Sequence, residues 1–150
     1  MKKSLLTLSA FLMLAASASA QDSPLWLRRN AISPDGTQIA FTYKGDIYTV
    51  ATEGGQARQI TTNPAYDSDP MWTDDSKTIV FSSYREGSKD IYKVSAEGGT
   101  PVRLTSHSQN ETPLEVMKDG SVLYTANIQQ DAQYGDFPGN VQLYMVGPDG

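Results

Sequence analysis

The residue types that could do chemistry are few. The one histidine, His107, stands between Ser106 and Ser108, the makings of a hydroxyl nucleophile and its base. Such a pair acts only when the fold brings Oγ to the imidazole, which adjacency in sequence does not ensure, and no G-x-S-x-G turn is present to display a hydrolase serine. His107 therefore reads as a loop residue. Asp67, Asp69, Asp74 and Asp75 form the densest carboxylate cluster, and calcium is the ion such oxygens would suit. An EF-hand spacing would need an acidic or amide residue and then glycine where Met71 and Trp72 stand. The expected role is structural: Asp67 and Asp69 capping backbone amides before Pro70, with Asp74 and Asp75 forming the next turn. Strand alternation gives no reason for two of these groups to face one substrate as an acid and base pair.

Other site chemistries fall away on composition. Without cysteine there is no thiolate ligand, no cysteine nucleophile and no disulfide framework. A zinc site would need three carboxylates beside the one histidine, an unusual set for that ion. The glycine pairs Gly54-Gly55 and Gly98-Gly99 precede strands rather than helices, so no helix N-terminus is offered to a phosphate. Trp26, Trp72 and the eight tyrosines read as filling between sheets rather than as a ligand-stacking platform. No catalytic, cofactor-binding or metal-ligating residue is assigned, and no cofactor is expected.

The elements around these residues repeat. Ser33-Pro34-Asp35-Gly36 followed by Ile39-Ala40-Phe41 returns forty residues later as Thr73-Asp74-Asp75-Ser76 followed by Ile79-Val80-Phe81. Asp46-Ile47-Tyr48, Val50 and Glu53-Gly54-Gly55 return as Asp90-Ile91-Tyr92, Val94 and Glu97-Gly98-Gly99. Gln59-Ile60-Thr61 closes the first unit and Arg103-Leu104-Thr105 the second. A third unit runs through Lys118-Asp119-Gly120, Val122-Leu123-Tyr124, Leu143-Tyr144, Val146 and Pro148-Asp149-Gly150.

Each unit alternates short apolar runs with polar turns and carries no helical period, so the class is all-β. Ile39, Phe41 and Tyr43 alternate with Ala40 and Thr42, which puts bulky and small side chains on opposite faces, both of them coverable. The Asp-Gly and Glu-Gly-Gly steps supply the positive φ of hairpin turns. A period of about 40 to 44 residues with about four strands per unit matches a β-propeller blade of four-stranded antiparallel sheet. The connection before the Asp-Ile-Tyr strand, or its counterpart at Leu143-Tyr144, lengthens from unit to unit. Each doubling of a flexible loop adds only about 0.6 kcal/mol of closure entropy, so one blade design accommodates all three.

Before the repeats comes a leader. Lys2 and Lys3 precede the apolar run from Leu5 to Ala16, and Ala18-Ser19-Ala20 forms a small-residue cleavage site ahead of Gln21. Residues 1–20 are therefore expected to be a signal peptide, giving an exported, periplasmic protein without a membrane anchor, since the run is shorter than a hydrocarbon span of about 20 residues. Loss of the two leader lysines takes the net charge from −5 to −7, which disfavours nucleic acid as a partner. The remaining organisation is a lead-in segment at 21–31, blade 1 at 32–70, blade 2 at 71–113 and blade 3 at 114–150. Gly150 aligns with Gly98, so the third blade is expected to be truncated and the ring incomplete, since propellers have roughly four to eight blades. The remaining blades would come from a longer chain or, in a homo-oligomer, from other copies.

Pro24-Leu25-Trp26-Leu27-Arg28, the Ile32-Ser33-Pro34-Asp35-Gly36 turn and Tyr43-Lys44-Gly45-Asp46-Ile47-Tyr48 together resemble the start of the first propeller in bacterial tricorn protease homologues. Tyr66-Asp67-Ser68-Asp69-Pro70 with Trp72, and the Asp-Ile-Tyr and Glu-Gly-Gly steps, resemble a blade signature that tricorn and TolB-type propellers share. The sequence departs from the pattern at Thr73-Asp74-Asp75-Ser76, where Ser-Pro-Asp-Gly is usual, and in the long third hairpin from Gln129 to Asn140. The resemblance implies the N-terminal propeller of a large serine peptidase, followed by a PDZ module and a catalytic region related to C-terminal processing peptidases. In that setting the blades filter peptide or protein substrates or pack against other domains, and supply no catalytic group. A TolB-like envelope protein that binds partners without catalysis, or the propeller cap of a prolyl-oligopeptidase relative, would carry similar blades.

Overall fold

In the computed structural model, residues 27–128 and 141–150 are described. The expected signal peptide, the start of the lead-in with Trp26, and most of the third hairpin, Gln129 to Asn140, lie outside the described residues. Among the described residues eleven strands form three antiparallel sheets, each meandering in chain order. The first holds β1 (Leu27–Ile32), β2 (Gln38–Tyr43), β3 (Asp46–Ala51) and β4 (Arg58–Gln59). The second holds β5 (Asp67–Trp72), β6 (Thr78–Glu86), β7 (Ser88–Ser95) and β8 (Val102–Arg103). In the third are β9 (Glu111–Val116), β10 (Val122–Ala126) and β11 (Gln142–Val146). β1 begins inside the 21–31 stretch, because the repeat boundaries drawn from the sequence follow the turn motif while the sheet starts one strand earlier.

The turns form through local side-chain chemistry. Asp35 accepts hydrogen bonds from the Ser33 hydroxyl at 2.6 Å and the Thr37 amide at 3.0 Å, and Gly36 takes a φ of 73°. Asp75 does the same for Thr73 at 2.7 Å and Lys77 at 3.0 Å. Ser76, standing where the first unit has glycine, still adopts a left-handed φ of 59°. The departure from Ser-Pro-Asp-Gly leaves the turn intact because the aspartate, more than the glycine, holds it.

Alternation along the strands sets the packing. On the second sheet Trp72, Ile79, Phe81, Tyr92 and Val94 face the first sheet, from which Ala40, Ile47 and the following Ile60 meet them. Val80, Ile91 and Leu104 face the other way, against Val122, Tyr124 and Ala126 of the third sheet. A two-residue side-chain period thus lets one sheet feed two cores. β5 packs over β1, β2 and β3, and β9 over β5, β6 and β7. Meandering sheets stacked face to face in succession, with their first strands side by side, are consecutive blades of a β-propeller.

On β2 of the first blade the small side chains Ala40 and Thr42 are the buried ones, and with Ile47 of β3 they lie on the face toward the second blade. The bulky face of Ile39, Phe41, Tyr43, Tyr48 and Val50 instead lines an open apolar groove of about 680 Å³. Among the described residues this face has no sheet packed on it, although the same face of the next two blades is covered by the blade before.

Candidate functional site

The densest polar chemistry lies at one end of the blades, where the second and third strands turn. Thr61 and Thr105, each closing a blade, accept the amide hydrogens of Ile47 and Ile91 through Oγ1, both at 2.9 Å. The residue before each of those isoleucines is an aspartate held by the outer strand: Gln59 donates to Asp46 at 3.0 Å and Arg103 to Asp90 at 2.7 Å. Burial pushes the Asp90 carboxyl up, and the Arg103 charge only partly offsets it. Asp46 is also raised, first by burial and then by the charge of Asp67.

The first strand of the following blade adds a second layer. Asp67 is wholly buried and pairs with Arg85 at 2.7 Å. The Arg85 guanidinium also lies 5.2 Å from the ring centroids of both Phe81 and Tyr92, so a carboxylate and two aromatic faces hold one cation. Glu111 occupies the same place in the third blade and is 1% exposed. Burial raises its carboxyl above the usual glutamate range, more than the Thr105 hydrogen bond lowers it.

The residues singled out in the sequence are distributed as follows. His107 lies in the loop between β8 and β9; its Nδ1 accepts the Gln109 amide at 3.2 Å and its carbonyl accepts from Ser88 Oγ at 2.9 Å. Neither flanking serine is brought to its imidazole by a described hydrogen bond. The four aspartates do not converge. Asp67 takes Arg85, Asp69 takes Lys89 at 2.8 Å and Arg29 at 3.2 Å, and Asp75 holds its own turn with Asp74 beside it. The expectation that Asp67 and Asp69 cap backbone amides is thus corrected. Cations from neighbouring strands reach them, and a buried carboxylate gains more from a full opposite charge than from an amide dipole. Trp72, Tyr92 and Tyr124 fill the seams between blades as expected, whereas Tyr66 and Tyr84 are exposed. The Glu-Gly-Gly glycines take positive φ in their turns, whereas Gly150 of the Pro148-Asp149-Gly150 turn lies so near the Leu104 carbonyl that a Cβ would come within 3.1 Å of it.

Sequence reasoning missed Arg85 and Glu111. Repeat alignment held the signal, since Asp67 and Glu111 stand one 44-residue step apart, as do Asp46 and Asp90.

This architecture can be set against known proteins. The sequence pattern of the tricorn protease N-terminal beta propeller domain matches residues 24–150. The chain belongs to that family. Among curated proteins, this tricorn-type propeller is 41% identical over 54 residues to the Tol-Pal system protein TolB of Bordetella pertussis, covering 35% of the chain and 12% of TolB. It is 28% identical over 91 residues to tricorn protease homolog 1 of Streptomyces coelicolor, covering 60% of the chain and 8% of that protein. Of solved structures, the putative TolB from Agrobacterium tumefaciens superposes with a TM-score of 0.71 at 23% identity, over 85% of this chain and 48% of that one. The propeller thus spans a small part of the curated relatives and about half of the solved one.

Proposed function

We propose that these blades belong to an exported, tricorn-like serine peptidase in which the propeller admits substrate or packs the other domains and contributes no catalytic group. The match to the tricorn N-terminal propeller over residues 24–150 carries this reading. The chemistry at the blade ends supports it. Asp67, Asp69 and Asp90 are engaged by Arg85, Lys89 and Arg103, as structural carboxylates are, and His107 accepts a backbone amide rather than a serine proton. The leader at 1–20 supports export, and the open apolar face of the first blade suits coverage by a further blade.

The deciding experiment is to read the gene past codon 150 and assay the complete product. Further blades, a PDZ module and a serine-dependent peptidase region are expected, with peptide hydrolysis lost when that serine is replaced. A stop codon directly after Gly150 would eliminate the proposal. Fusing residues 1–30 to a reporter active only outside the cytoplasm tests export separately.

The 41% identity to TolB favours a second reading, a partner-binding envelope propeller without peptidase activity. That reading expects a few more blades, then the end of the chain, and no hydrolysis.

A further inference from the structure

Repeat symmetry exposes an incomplete charge cage in the third blade. In the second blade Asp67 pairs across the strands with Ser83, and Arg85 stands two residues further on. In the third, Glu111 pairs with Ala126, and Ile128 stands two residues further on. Phe81 and Tyr92, the rings beside Arg85, stack at 5.9 Å and 27°. Their counterparts Tyr124 and Tyr144 stack at 5.6 Å and the same 27°. The carboxylate and both aromatic faces are therefore kept while the guanidinium is replaced by an isoleucine.

A cavity adjoins the acid, and one of its two oxygens lacks a partner among the described residues. Glu111, Thr105, His107, Tyr124 and Ile128 line a cavity of about 280 Å³. Glu111 Oε2 has no hydrogen-bond partner among the described residues. A buried carboxylate oxygen left this way is costly unless it meets a donor or holds a proton. Arg103 is committed to Asp90 at 2.7 Å, and the stretch from Gln129 to Asn140 contains neither lysine nor arginine.

We propose that the cavity over Glu111, walled by Tyr124 and Ile128, binds the guanidinium of an arginine side chain presented by a peptide or protein, which takes the place that Arg85 fills in the preceding blade. The ligand chemistry follows from the second blade: a planar cation satisfies the carboxylate by hydrogen bonds and lies against an aromatic ring, here Tyr124. This site is independent of whether a peptidase region follows.

The test titrates the full chain with N-acetyl-arginine amide and, as a neutral isostere, N-acetyl-citrulline amide, followed by calorimetry at neutral pH. Saturable arginine binding at least tenfold tighter than citrulline binding is expected. Glu111→Gln should remove that preference while keeping the shape of the site. Ile128→Arg should supply the cation internally, abolish binding of the probe and raise the unfolding temperature, so the proposal stays testable even where Glu111→Gln folds poorly. Equal affinity for both probes, no saturable binding by the unaltered chain, or undiminished arginine preference in either variant would overturn it. An arginine-containing peptide that binds more tightly than the amide would identify a presented side chain, rather than the free amino acid, as the ligand.

Discussion

Arg29 and Asp69 occupy the same position in successive blades, both in the left-handed region at φ 46° and 55°, and their side chains meet at 3.2 Å across the seam. Each sits where the first strand of its blade slips register against the second. A β-bulge re-aims the side chain it carries, and here two bulges aim opposite charges at each other. Asp69 is also held by Lys89; burial acts to raise its carboxyl, but the Lys89 hydrogen bond and charge hold it below the ordinary aspartate value.

Burial decides what such pairs contribute. The Arg29 side chain is 74% exposed, so Arg29→Ala is expected to cost less than about 1 kcal/mol, as exposed ion pairs do. Arg85→Ala leaves the wholly buried Asp67 without its cation and is expected to cost about 3–5 kcal/mol. Urea denaturation of the two variants side by side checks the ranking. Adding Asp67→Asn to Arg85→Ala should recover part of the loss.

Trp72 donates its indole N–H to the Ala31 carbonyl at 3.0 Å, joining the first strands of two blades. Trp72→Phe keeps most of the ring in the core but leaves that carbonyl short of a donor. A loss of about 1–2 kcal/mol is expected, measured as a lower denaturant midpoint with an unchanged slope.

Glu111 should make stability fall as pH rises. Its folded-state value is raised by burial above the reference 4.5, against the Thr105 hydrogen bond, with Asp90 raising it further and His107 and Arg103 lowering it. Below 4.5 both states hold the proton and its contribution is complete. Above that value the unfolded chain ionises first, and the contribution declines until pH passes the folded-state value. Glu111→Gln should therefore flatten this part of the profile and gain on the unaltered chain between acid and neutral pH. Thermal unfolding across that range measures it, and a constant difference between the two proteins would contradict the assignment.

Phe41 and Phe81 hold equivalent positions, one on the open face and one wholly buried. In the 150-residue chain Phe81→Ala is expected to cost about 3–5 kcal/mol, and Phe41→Ala distinctly less. In a longer chain whose ring closes over the first blade the two costs should converge. Calorimetry of both variants in both chain lengths tests this.

Gly36 and Gly45 both have positive φ, 73° and 91°. A Cβ on Gly36 meets open space, whereas one on Gly45 comes within 3.1 Å of the Tyr66 ring. Alanine at either carries the left-handed penalty of about 1–2 kcal/mol, and Gly45→Ala should cost more because Tyr66 must also move. Denaturant midpoints of the two single variants rank them.

The repeat itself was legible because its cause is local. Asp35 and Asp75 build the same turn from neighbours within two residues, and the alternation of Ile79, Val80 and Phe81 assigns each to a face whatever lies opposite. Strand class, turn positions and blade period follow from interactions a few residues long, and these a sequence displays directly. The pairing of charges is a different matter. Arg85 lies 18 residues from Asp67, and Lys89 lies 20 from Asp69, so their meeting depends on hairpin length and bulge direction. Spacing suggested amide caps for both aspartates, and the tertiary structure gave them cations. The same holds for the Glu111 oxygen without a partner and the uncovered face around Phe41, both among the described residues. Each is defined by what the neighbouring blade does or does not bring, because burial and Coulomb attraction act across space and only the folded chain sets those distances.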